Sequence, residues 1–224
     1  DLEFGAESVD AYELGVKMSP SRAFTFNAAV FYQKFKDLQN LFFSGNSFVV
    51  FNIPRTTSKG VEAEAVVQPV RDLNFRFGYT WLDARYDASN NFAGTAFAGS
   101  EGQRINNQPE HVVTIAGTWT PHLTGRWRAL LHADMRYNSE VNIPSAAPNA
   151  LTGRTPIYNP GYPLIGARIG VQSDDRLKRL EFWVDNLTDQ YYNITGFGVP
   201  EQTGTYAGYP STPRFYGVTA RLGF

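Results

Sequence analysis

Side-chain polarity in this chain alternates with a period of two, and that regularity fixes the secondary-structure class before anything else is considered. Nine windows carry it. One face of them reads Tyr12, Leu14, Val16, Met18; Phe24, Phe26, Ala28, Val30, Tyr32; Val61, Ala63, Ala65, Val67; Leu73, Phe75, Phe77, Tyr79, Trp81; and Val113, Ile115, Gly117, Trp119. It continues as Trp127, Ala129, Leu131, Ala133, Met135, Tyr137; Ile165, Ala167, Ile169, Val171; Leu180, Phe182, Val184; and Tyr216, Val218, Ala220, Leu222, Phe224. None of these forty positions is charged. Eleven of the thirty-one positions between them are: Glu13, Lys17, Glu62, Glu64, Arg76, Arg128, Asp134, Arg136, Arg168, Glu181 and Arg221. Successive side chains of a strand point to opposite faces, so each window predicts a strand with one face fit for oil and one for water.

A soluble antiparallel sheet also alternates, so the placement of aromatics and loops has to decide between a dry core and a lipid bilayer. Tyr12, Tyr32, Tyr79, Trp81, Trp119, Trp127, Tyr137 and Tyr216 stand at the ends of the apolar rows with smaller aliphatics between, the arrangement of two interfacial girdles around a hydrocarbon band. Connections alternate as well. Ser19 to Ala23, Gln68 to Asp72, Thr120 to Arg126 and Gln172 to Arg179 are short, whereas Leu38 to Lys59, Asp87 to Glu110, Asn138 to Pro163 and Asp185 to Pro213 are all more than twenty residues long. Short turns on one side and long loops on the other predict an all-β, antiparallel transmembrane β-barrel of the outer-membrane kind. With the short turns periplasmic, the ninth strand runs inward and sets the C-terminal Phe224 at the periplasmic rim. Nine strands are an odd set, and bacterial single-chain barrels have even counts. The expectation is therefore that residues 1–224 are the C-terminal part of a larger barrel, with earlier strands and any further domain outside a chain that starts at Asp1 without Met.

Composition removes other classes. Twenty Lys and Arg against 21 Asp and Glu give a net charge of −1 without a basic stripe, which argues against nucleic acid as a partner. Zero cysteines exclude disulfides, thiolate metal sites and cysteine nucleophiles, and His111, His122 and His132 are scattered rather than grouped with carboxylates, so neither a metal site nor a cofactor is expected. His132 and Asp134 share a strand face as a catalytic couple would, but they share it with Arg128 and Arg136, and a lumen salt-bridge ladder accounts for all four without an enzyme activity.

The stretches Tyr12-Glu13-Leu14-Gly15-Val16-Lys17, Phe31-Tyr32 with Asp37-Leu38-Gln39, and Ser58-Lys59-Gly60-Val61-Glu62-Ala63-Glu64 occur in that order. Gly78-Tyr79-Thr80-Trp81-Leu82-Asp83-Ala84, Asn107-Gln108-Pro109-Glu110-His111, Asp185-Asn186-Leu187-Thr188-Asp189-Gln190-Tyr191-Tyr192 and the ending from Pro213 to Phe224 follow. Together they resemble the C-terminal barrel of TonB-dependent outer-membrane receptors from Gram-negative bacteria. The resemblance implies a 22-stranded barrel around an N-terminal plug, importing ferric siderophores, cobalamin or oligosaccharides with energy from the inner-membrane TonB complex. Plug and TonB-contacting box are not among the residues of this chain, so the partners implied are the remaining barrel strands, the plug, the TonB complex through it, outer-membrane lipid and a small-molecule or oligosaccharide ligand.

Two sets of candidate site residues follow. Glu13, Lys17, Glu62, Glu64, Arg76, Arg128, Asp134, Arg136, Arg168 and Arg221 are expected to face the lumen or the plug, beside the inward glycines Gly15, Gly78, Gly166, Gly170, Gly217 and Gly223. On the long loops Phe42, Phe43, Phe48, Phe97, Tyr191, Phe197, Tyr206 and Tyr209 offer aromatic faces to a ligand, and Arg104 and Arg154 offer positive charge. The competing expectation for the aromatics is packing of loop on loop. At the level of the whole chain the alternatives are a passive porin or structural barrel, a soluble carbohydrate-binding module and an outer-membrane hydrolase acting through His132 and Asp134.

Overall fold

The computed structural model describes residues 5–43, 48–95, 97–144 and 151–223, and all regular structure among them is strand. Fourteen strands occur. They are β1 (Ser8–Ser21), β2 (Phe24–Phe43), β3 (Phe48–Val70), β4 (Leu73–Tyr86), β5 (His111–Trp119), β6 (His122–Thr124), β7 (Trp127–Asn138), β8 (Val141–Asn142), β9 (Tyr158–Asn159), β10 (Tyr162–Ser173), β11 (Lys178–Asp185), β12 (Asn193–Gly198), β13 (Tyr206–Pro210) and β14 (Phe215–Leu222). Nine of them form one antiparallel sheet in the order β1-β2-β3-β4-β5-β7-β10-β11-β14, with the short β6 paired to β7. These are the nine strands expected from the alternation. β1 and β14 are the edges, and the sheet is not closed among the described residues.

Register carries the apolar rows across the whole sheet. Phe75 pairs with Gly117, Gly117 with Ala133, Ala133 with Ala167, Ala167 with Val184 and Val184 with Tyr216, so one outward row runs through six strands without a charged side chain. Side chains on this face are uncovered by protein: Leu14 is 75% exposed and Val218 69%. In a soluble protein that much contiguous apolar surface would have to meet a partner, and here the girdle aromatics at both ends of the rows identify the partner as hydrocarbon. The polar tips of the outer girdle are satisfied locally. Trp81 Nε1 donates to Glu110 Oε1 at 3.2 Å, and the Tyr79 hydroxyl lies 3.0 Å from His111 Nδ1.

Several inward glycines lie under a neighbouring strand's side chain rather than under open space. A Cβ on Gly217 would stand 2.6 Å from the Trp183 ring and one on Gly166 2.8 Å from the Asp134 carboxylate. Gly60 has the same role: its Cβ would meet Phe31 Cζ at 2.6 Å and the Trp81 carbonyl oxygen. An aromatic ring laid over a strand glycine recovers the packing the glycine lacks and helps pin the register.

The sequence alone predicts a loop over most of Leu38 to Lys59, and the structure differs. β2 and β3 stay paired as far as Phe43 and Phe48, so the segment is a two-stranded ribbon projecting beyond the girdle. Asp37, at φ 55°, interrupts the ladder between the pairs Lys36–Arg55 and Leu38–Ile53. A buried cluster lies beside it, where Ile53, Tyr86 and Phe92 pack with Leu38, Phe51, Phe97 and Ile105.

Candidate functional site

Two surfaces hold the predicted residues, the inward face of the sheet and the layer of joined loops above it. On the inward face the register aligns Asn74, Thr118, His132, Arg168, Trp183 and Gly217 in one row, and Arg76, Ala116, Asp134 and Gly166 in the next. His132 Nδ1 lies 2.8 Å from Thr118 Oγ1 and its Nε2 3.2 Å from Asp134 Oδ1, so both ring nitrogens are engaged. Arg136 Nε donates to Asn138 Oδ1 at 3.1 Å. Arg128 ties three turns together at the short-turn end, bonding Asp72, reaching Asp174 at 3.7 Å and donating from Nε to the Thr120 carbonyl at 3.0 Å. Glu13, Lys17, Glu62, Glu64, Arg76, Arg168 and Arg221 are exposed and make no ion pair among the described residues. A cavity of about 570 Å³ opens on this face where Asp134, Arg136, Trp183, Asp185, Tyr192 and Phe215 converge. Water-facing charge of this kind is cheap to keep and is available to pair with whatever enters.

The loop layer is built from three pieces. In the first, residues 87–110 wrap over Tyr86 and place Phe97 5.3 Å from Phe51, 5.7 Å from Phe92 and 6.0 Å from Tyr86, centroid to centroid. Carboxylates hold this loop's turns. Asp87 accepts from the Ser89 hydroxyl at 2.6 Å and amide at 2.8 Å, and Glu101 accepts from the Phe92 amide at 3.0 Å. These bonds favour the ionised forms and hold both carboxyls below their usual range: the Ser89 donors act most strongly on Asp87, and backbone amides at Glu101 and Phe92 on Glu101.

The second piece, around β8 and β9, centres on buried Thr155, whose hydroxyl donates to the Ile143 carbonyl at 2.9 Å and also reaches that of Ile157. Arg154 sits over Tyr158, 4.5 Å from the ring centroid, and makes a forked pair with Glu140 at 3.0 and 2.5 Å. That hydrogen-bonded pair raises the guanidinium further above its ordinary range. The third piece is the β12–β13 hairpin. Asn159 donates to the Asn193 carbonyl and accepts from its amide, both at 2.8 Å. Ile157 Cδ1 sits where a Cβ of Gly196 would be, 2.6 Å away, and 3.7 Å from that of Gly208. Tyr162 and Tyr192 stack at 4.6 Å beneath the junction.

The predicted loop residues therefore divide. Phe97 is in the aromatic cluster and Arg104 in ion pairs with Asp83 and Glu110. Tyr191 is 65% exposed and Tyr209 56%, with Tyr206 on the same hairpin as Phe197 and Tyr209, and the last two rings 6.0 Å apart. Phe42, Phe43 and Phe48 belong to the β2–β3 ribbon, where Phe43 pairs with Phe48, and their side chains lie outside the described residues, as does Phe224. Glu140 and Tyr158, the partners of Arg154, carry no signal in the sequence, because an ion pair across fourteen residues of loop has no periodicity to reveal it.

Comparison with known proteins agrees with this geometry. The model of the TonB dependent receptor-like, beta-barrel family matches residues 2–187. No curated protein sequence matches the chain. Among solved structures, the ferric yersiniabactin uptake receptor FyuA from Yersinia pestis superposes with a TM-score of 0.79 at 18% identity over 99% of this chain and 30% of its own. The ferric-catecholate import receptor Fiu from K12 E. coli gives 0.70 at 20% identity over 99% and 28%, and the copper transporter OprC 0.67 at 14% over 97% and 31%. The chain thus spans about a third of the length of each of these receptors. Family match, strand order and outward apolar rows together lead to one statement: the chain belongs to the TonB-dependent receptor-like β-barrel family, whose members are outer-membrane transport proteins and not enzymes.

Proposed function

We propose that this chain is the C-terminal nine-stranded part of a larger barrel that imports a scarce nutrient, a ferric siderophore before cobalamin or an oligosaccharide, across the outer membrane. A plug domain, earlier strands and the TonB complex complete the machine. The observation that carries the reading is the layer around the β12–β13 hairpin, where Tyr191 just before it and Tyr206 and Tyr209 on it are exposed, and where Asn193 is bonded to Asn159 of the segment that carries the Arg154–Glu140 pair. Exposed rings and one oriented guanidinium suit a large, partly aromatic anionic chelate, since aromatic faces give contact area at small entropy cost. Neighbouring folds named as ferric-chelate and copper transporters support a metal-containing cargo.

The test is uptake of radio-iron on a panel of siderophores by cells carrying the full-length protein, with and without a functional TonB complex. Energy-dependent uptake of at least one chelate is expected. Tyr191→Ala with Tyr209→Ala should then weaken its binding about tenfold while leaving barrel folding intact. Uptake that continues undiminished without TonB would overturn active import in favour of a passive barrel.

A further inference from the structure

One group of charges stands on the strands but off the inward face, with Arg55 donating to Ser89 Oγ at 3.2 Å and Arg85 to the Gly102 carbonyl at 3.3 Å in the loop above. Alternation along β2, β3 and β4 places Lys34, Lys36, Arg55, Lys59 and Arg85 on the same side of the sheet as the outward apolar rows, immediately beyond the girdle residues Tyr12, Tyr32 and Trp81. The register makes them neighbours: Tyr32 pairs with Lys59 and Lys59 with Asp83, then Lys34 with Thr57 and Thr57 with Arg85, then Lys36 with Arg55. Strands lie about 4.8 Å apart, so these cations share one small surface. Arg104 joins its edge.

Four carboxylates lie among the six cations, and three of them account for the ion pairs. Asp83 takes Arg85 at 2.7 Å, Arg104 at 3.3 Å and Lys59 at 3.6 Å, Glu110 takes Arg104 at 3.2 Å, and Asp10 reaches Lys36 at 3.8 Å. Asp87 is within electrostatic reach of Arg55 and Lys34. Asp83 works as a hub that lets three like charges crowd together, and a positive surplus remains. Lys34 forms no ion pair among the described residues and holds its ammonium 5.6 Å from the Tyr32 ring centroid. On the other six spanning strands the corresponding outer positions are Asp10, Pro109, Ser139, Gly161, Asn186 and Arg214, with no such cluster of cations. The positive rim is thus local to one side of the wall, at the depth where a bilayer carries its headgroups.

We propose that the outward rim formed by Lys34, Lys36, Arg55, Lys59 and Arg85 is a docking surface for the phosphorylated headgroups of outer-leaflet lipid. The surface is continuous with Val30, Val61 and Trp81 below it, so a lipid whose phosphates sit on the cations lays its acyl chains along the apolar rows. Charge complementarity fixes the headgroup class, and position in the membrane fixes the source as lipid rather than a soluble phosphate. This surface is independent of the import reading, because a passive barrel would carry it equally.

The experiment uses the full-length protein in nanodiscs, with phosphorylated lipid A and its dephosphorylated form as probes and native mass spectrometry as the readout. The expected result is preferential retention of the phosphorylated form. Lys34→Ala with Lys59→Ala should reduce that retention about tenfold, and Lys34→Arg with Lys59→Arg should preserve it, since two positive charges at the headgroup level are lost or kept. Lys59 can be removed without orphaning Asp83, which keeps Arg85 and Arg104. Should the double alanine variant fold poorly, Lys34→Gln alone, at an exposed and unpaired position, carries the same test. Equal retention of the two lipid forms, or an unchanged preference in the alanine and glutamine variants, overturns the proposal.

Discussion

At the scale of single residues, the tightest constraints are glycines that lie beneath rings. Gly60 has the Phe31 ring and the Trp81 carbonyl where any side chain would have to go. Gly60→Val should therefore lower stability by about 1–3 kcal/mol through forced displacement of Phe31, read as a shift of the urea midpoint of the full-length protein folded into bilayers. An unchanged midpoint would mean that the strand pair adjusts without strain. Thr155 makes a second case. Its hydroxyl satisfies buried carbonyls, so Thr155→Val should cost about 1–3 kcal/mol of local loop stability, detectable as lost hydrogen-exchange protection around β8 and β9 with the spanning strands unaffected. Gly166 and Gly217 were legible as inward-facing from alternation alone, whereas Gly60, at the mouth of a predicted loop, was not singled out. What covers each of them was not legible, because Phe31 is 29 residues away in sequence and only the register of β2 on β3 brings it over Gly60.

At the scale of elements, the spanning strands were legible because lipid on one side and water on the other impose opposite chemistry on alternate residues. That asymmetry ends where a strand leaves the membrane. Beyond Asp37 both faces of the β2–β3 ribbon are aqueous or packed on loop, Leu41, Phe42, Phe43 and Val49, Val50, Phe51 run on without alternation, and the period-two signal is lost although the pairing continues. The hairpins of the loop layer were hidden for the same reason. Their geometry rests on carboxylates and amides, and it carries a pH signature. Asp87 and Glu101 are both held below the ordinary carboxylate range by donors in the folded loop. A depressed folded value means that the stabilisation is complete above the unfolded pKa and is lost as pH falls through the folded one. Amide protection of Ser89 and Phe92 should accordingly be constant from about pH 7 to 5, after correction for intrinsic exchange, and decline only below about 4. A decline that sets in near pH 6 would assign the loop's order to another group.

At the scale of the whole molecule, one division organises the spanning part of the sheet: apolar rows outward, charge inward, and the long loops on a single side. Ile115 is in the middle of an outward row between Phe77 and Met135, and Thr114 is its inward neighbour between Gly78 and Arg136. Ile115→Arg should cost about 2–4 kcal/mol of folding free energy in a bilayer, whereas Thr114→Arg should cost far less, because only the first carries charge into hydrocarbon. Folding yields into lipid vesicles compare the two directly, and equal penalties would contradict the division. The candidate site was legible only in outline: exposed tyrosines and arginines on long loops could be picked from the sequence, but the packing of Phe97 into the aromatic cluster and the diversion of Arg104 into the Asp83 cluster depend on contacts between segments far apart in the chain.

The interlocking of the β8–β9 segment with the β12–β13 hairpin bears on how specificity can be moved between relatives. Ile157 occupies a notch that exists because residues 196 and 208 lack side chains, and Asn159 completes the seam with Asn193. A chimera that transplants one of these two segments without the other inherits a knob without its socket, so evolution and engineers alike have to exchange them as a single cassette.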